Sequence, residues 1–129
     1  MALRLGLGAA VAAWSSVGIA QIHAQIQQRA EWLRDRLDTL PGVHAHRAGS
    51  HGSSGIVTLA CTGIGASALH QGLQQRGVEA ALSPVAFTPW DMQARGLDAL
   101  LRLSPGFDTP WESLHYACDA LEEFLKTQR

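Results

Sequence analysis

The chain has 129 residues and a mass of 13.8 kDa, enough for one domain with a real core. Charged residues make up 16% and the net charge is −1, which excludes a disordered chain and a basic nucleic-acid-binding face. Of the ten cationic residues only Lys126 is a lysine, so chemistry that needs a buried, activated lysine has almost no place here.

The first segment has two readings. Met1-Ala2-Leu3-Arg4 followed by the apolar run Leu5 to Trp14 imitates a secretory leader. That run is short, holds two glycines, and falls well below the ~20 residues that span a bilayer. The expectation is a chain with no membrane partner and a cytoplasmic location. Leu3, Leu7, Ala10 and Trp14 form a helical stripe instead, interrupted at Ser15 to Gly18. A second stripe runs through Ile19, Ile22, Ile26, Ala30, Leu33, Leu37 and Leu40, with Arg29, Arg34, Arg36 and Asp38 on the other face. It predicts one long helix that ends at Pro41-Gly42.

From Val43 the period changes. Val43 to His46 alternates like a strand, and Ala48 to Gly55 is a Gly/Ser-rich loop. Gly55 to Cys61 is β-branched and apolar, a central strand. Ala66, Leu69 and Leu73 mark a short helix closed by Arg76-Gly77. Val78 to Leu82 is a weak third strand. Ser83 to Asp98 reads as a long loop, and Ala99 to Ser104 as the last strand. Thr109-Pro110-Trp111-Glu112 has a helix-start pattern, with Thr109 as the cap, before a helix burying Trp111, Leu114, Cys118, Leu121 and Leu125. The fold class is α+β: a small sheet of about four strands, helices packed on one face, and a long N-terminal helix.

Cys61 and Cys118 lack the spacing of a metal or dithiol motif, and each sits in an apolar run. A disulfide is open to a secreted chain; buried thiols are the reading favoured here. His44 and His46 point to one strand face with His51 close behind, a partial metal-ligand set without a neighbouring acid or thiol. Solvated imidazoles are the simpler account. Arg102 stands inside an apolar strand, on the face opposite Leu101 and Leu103. It either reaches solvent at an edge or meets an anion, and its fork matches a carboxylate.

The run Leu101-Arg102-Leu103-Ser104-Pro105-Gly106-Phe107-Asp108-Thr109-Pro110-Trp111-Glu112 resembles the R-x-S…(Y/F)-(N/D)-T-x-x-E segment of class V aminotransferases. These are pyridoxal 5'-phosphate (PLP) enzymes that include cysteine desulfurases and isopenicillin N epimerase-like proteins. Asp91 to Leu97 is similar to what precedes that segment in the epimerase-like branch. Ser54 to Thr58, and the helix ending Arg76-Gly77-Val78, follow the family's order. The resemblance covers the family's C-terminal small domain. It implies that residues 1–17 are a remnant helix of a large PLP-binding domain and 18–129 the small domain, with 18–40 as the linking helix. It implies a homodimeric transferase, lyase or epimerase acting on an amino acid or amine. Arg102 would bind the substrate carboxylate, and the Schiff-base lysine would lie outside this chain, which alone would be inactive. A free-standing module that binds a small carboxylate is the alternative. Two departures stand out. The Ser83 to Asp98 loop has no cysteine where desulfurases carry their nucleophile, with Phe87 near that place. Gly106 stands where the epimerase-like branch often has His.

Overall fold

The computed structural model describes residues 2–47 and 54–128, with side chains from residue 6 onward. His51 lies outside the described residues. Two helices open the chain, α1 (Ala2–Val17) and α2 (Ile19–Asp38), bent by 78° at Gly18. The break has a local cause: Gly18 adopts φ +94°, which side chains rarely tolerate. Strand β1 (Val43–Ala45) follows, then β2 (Val57–Cys61), α3 (Ala66–Gln74) and β3 (Ala81–Pro84). A single 3-10 turn at Val85–Phe87 leads into a short helix α4 (Pro89–Ala94), then β4 (Ala99–Leu103) and α5 (Trp111–Thr127).

The strands form one antiparallel sheet in the order β1-β2-β4-β3, the α+β class expected from the sequence. Alternation sends Val57, Leu59, Leu101 and Leu103 to one face. There they meet Leu33 and Leu37 of α2, Leu69 and Leu73 of α3, and Cys118, Leu121 and Leu125 of α5. That cluster is the core. At roughly 1.5–3 kcal/mol per buried aliphatic side chain, its contacts dominate the fold's stability.

Several local expectations need correction. The stretch read as a loop from Ser83 to Asp98 folds into the end of β3, the 3-10 turn and α4. It is tied down where Val85 N–H donates to Asp98 O at 2.8 Å and where Met92 is buried. The third strand starts later than its apolar pattern indicated. Thr109 does not cap α5; Pro110 takes that position, and Thr109 Oγ1 accepts from Gly106 N–H at 2.8 Å, tightening the turn before the helix. Arg34 belongs to the interior and not to the polar face of α2, at 2% exposure. It donates to Glu31 at 2.8 Å, Ser54 O at 2.6 Å and Ile56 O at 2.9 Å, and so pins the approach to β2 onto α2.

Candidate functional site

The face of the sheet turned away from α2, α3 and α5 carries the polar residues of interest. Register fixes who stands beside whom. Arg102 of β4 lies opposite Thr58 of β2 on one side and Ala81 of β3 on the other. His46 follows β1 directly, and its N–H donates to Thr58 O at 2.8 Å, continuing the β1–β2 ladder by one residue. His46, Thr58, Arg102 and Ala81 therefore form one cross-strand row on one face. The neighbouring row is His44, Ala60, Leu100 and Ser83. Leu100 and Met92 are buried outside the helix-side core, so α4 seals part of this face.

Arg102 differs from the other arginines. Arg34, Arg36, Arg47, Arg76 and Arg95 each pair with a carboxylate, and Arg29 donates to Thr109 O while stacking over Trp111. Among the described residues Arg102 has no hydrogen-bond or ion-pair partner, and its Nε is buried. A partly covered guanidinium with no counter-charge is poised to take one.

His46 is the second unusual group. Its Nε2 is buried without a partner. Burial lowers its pKa from the ordinary histidine value, helped by Arg95 and His44 and opposed by Asp91 and Asp38. His44 lies nearer the surface, with Nε2 3.3 Å from Thr62 Oγ1. No group of three metal-ligating side chains occurs among the described residues.

Cys118 is buried, and burial pushes its thiol up to about 11. Cys61 is half-buried on the core side of β2, less sealed than its apolar surroundings indicated, and burial raises its pKa as well. Both thiols are free. A cavity of about 710 Å³ opens elsewhere, beside Leu103, Ser104, Glu112 and Tyr116. Lys126 sits in the last turn of α5, 69% exposed and 2.9 Å from Glu122. These residues do not build a seat for PLP: the one lysine is solvated, paired and far along a helix that packs on the other face.

Arg102 stood out in the sequence as a charge in an apolar strand, and the structure places it on the free sheet face without a partner among the described residues. The expectation of a solvated imidazole fails at His46, whose Nε2 is buried without a partner. The signal present was its alternation with His44, but the orphaned ring nitrogen depends on α4, which the sequence did not show.

No curated protein matches this chain. Among solved structures, an apo cysteine desulfurase from Thermococcus onnurineus NA1 superposes with a TM-score of 0.79 at 17% identity, over 88% of this chain and 28% of that one. The cysteine desulfurase CsdA (S-sulfonic acid) from Escherichia coli gives 0.73 at 16%, over 82% and 26%. A C-DES mutant with glycine covalently linked to its PLP cofactor gives 0.63 at 23%, over 81% and 24%. At these identities the likeness is one of fold, and the chain spans only about a quarter of each structure. The family model for aminotransferase class-V matches residues 1–114. The chain belongs to the class V aminotransferase family.

Proposed function

We propose that this chain is the small, substrate-covering domain of a PLP-dependent class V enzyme acting on an amino acid or amine. The observation that carries this reading is Arg102: the one described arginine without a partner, at the family-matching position, on the sheet face that the core leaves free. PLP, when bound, supplies the electron sink of the chemistry; its lysine comes from the large domain. Arg102 binds and orients the substrate carboxylate. The half-buried row around it limits access of water and strengthens that contact.

Residues 1–17 belong to the large domain and 18–129 to the small one, a division supported by the bend at Gly18 and by the exposed apolar face of α1. Its partner is that PLP-binding domain, its assembly a homodimer and its location the cytoplasm. Alone, the chain is inactive. Reduction with borohydride after incubation with PLP checks this; stoichiometric pyridoxylation of Lys126 with a defined absorption band would overturn it.

The decisive test is Arg102 in the assembled enzyme. Arg102→Lys keeps the charge but loses the fork, and should weaken substrate binding. Arg102→Ala should weaken it further, by about 2–4 kcal/mol. Decarboxylated amine analogues should lose much less. Equal losses for acid and amine would mean that Arg102 supports the fold and does not read a carboxylate.

A further inference from the structure

Three side-chain nitrogens among the described residues are buried without a partner: Arg34 Nε, His46 Nε2 and Arg102 Nε. The first has a structural account, since the remaining nitrogens of Arg34 hold Glu31, Ser54 and Ile56. The other two stand in the same cross-strand row, one strand apart, with only Thr58 between them. An unpaired polar atom under cover is costly, and two in one row on one face point to a common occupant. We infer that His46 is a second recognition residue beside Arg102, and that the substrate is an amino acid whose side chain ends in a hydrogen-bonding group. The inference rests on the carboxylate role of Arg102.

Geometry and chemistry agree on this class. Two strand spacings separate the backbones of His46 and Arg102 by about 10 Å, and both side chains rise from the same face. A ligand held by its carboxylate at Arg102 needs a few carbon atoms to bring a second polar end to the imidazole. The ring is neutral near neutral pH, since burial disfavours its charged form, so it offers one donor and one acceptor. That suits an amide or hydroxyl end. A purely apolar side chain would leave Nε2 unpaired, as it is without ligand. Asp91 of α4 and Arg95, just past its end, form their own 2.9 Å pair, so neither is free to replace the imidazole.

The test uses two acids of equal charge and similar shape: glutaramate, with an amide end, and 5-methylhexanoate, with an apolar end. Each is titrated into the assembled enzyme, large domain included, and followed by calorimetry and by the His46 ring signal in NMR. The parent enzyme should bind glutaramate about three- to tenfold more tightly, the worth of one added hydrogen bond, and the His46 ring should shift with glutaramate alone. His46→Ala should erase the preference, weakening glutaramate far more than 5-methylhexanoate. His46→Gln, which keeps a polar end and replaces His46→Ala if that variant does not fold, should retain part of it. Arg102→Ala should weaken both acids. An unchanged preference in His46→Ala overturns the role of His46 and leaves Arg102 standing. Unchanged binding of both acids in Arg102→Ala overturns the carboxylate reading itself, and absence of any binding by the parent overturns both.

Discussion

His46 couples the stability of the domain to pH. Its pKa lies below the ordinary 6.5 in the folded chain, with burial as the main cause. In the unfolded chain it titrates at the ordinary value. As pH falls through 6.5 the unfolded state takes up the proton first, so stability drops from there until the folded value is passed, and is retained above. His46→Gln should flatten that part of the profile. Urea midpoints of parent and variant at about pH 8 and about pH 5 check it; an unchanged difference between the two pH values would show that the ring is solvated in the folded chain. The thiols make a second residue-scale case. Cys118, held up to about 11 by burial, should resist iodoacetamide in the folded chain while half-buried Cys61 reacts first, though slowly. Neither belongs to the Arg102 face, and the segment between β3 and β4 has no thiol. No persulfide should form during turnover of the assembled enzyme, and replacing both cysteines by Ala should cost stability and spare chemistry. Mass spectrometry of the working enzyme decides it.

Among the elements, α3 and α5 meet at a position where no side chain fits. A Cβ at Gly72 would run into the ring of Phe124. Gly72→Ala should therefore destabilise by about 1–3 kcal/mol despite the better helix propensity of alanine. Gly65, where a Cβ would meet nothing, is the control. Thermal melts of the two variants make the comparison. Helix–sheet order was legible because it follows from local period: Leu33 and Leu37 at helical spacing, Val57, Leu59, Leu101 and Leu103 in alternation. Arg102 was legible for the same reason, as a charge breaking an apolar strand. What stayed hidden depends on contacts distant in sequence. Arg34 carries the same local signal as the half-buried Arg29 and Arg36. Its burial is set by carbonyls twenty residues away, at Ser54 and Ile56. Helix α4 has too few apolar positions to show a period, and its one anchor, Met92, is defined by the sheet beneath it. The Thr109 cap failed because a neighbouring turn offered its hydroxyl a nearer donor, Gly106 N–H.

At the scale of the molecule, the outstanding feature is the unpartnered face of α1. Leu7, Val11 and Trp14, with Ile19 at the start of α2, are all more than half exposed, and Trp14 meets the body of the domain edge-on at Phe107, 6.3 Å between ring centres. A contiguous apolar face of this kind is costly in water and marks an interaction site. The chain alone should self-associate through it, with sedimentation coefficients that rise with concentration. Leu7→Glu with Trp14→Glu should return it to monomers, and so should added large domain. A parent chain that stays monomeric throughout would show the face to be tolerated. Gly18 gives this arrangement its mechanical character. A helix of sixteen residues is a rod about 24 Å long, and here one backbone torsion pair sets its heading. Turning that pair by ten degrees or so sweeps the far tip through about 4 Å, while the sheet and its polar row stay where they are. The glycine thus works as a lever's fulcrum: small rotations there become large excursions of whatever α1 is fastened to.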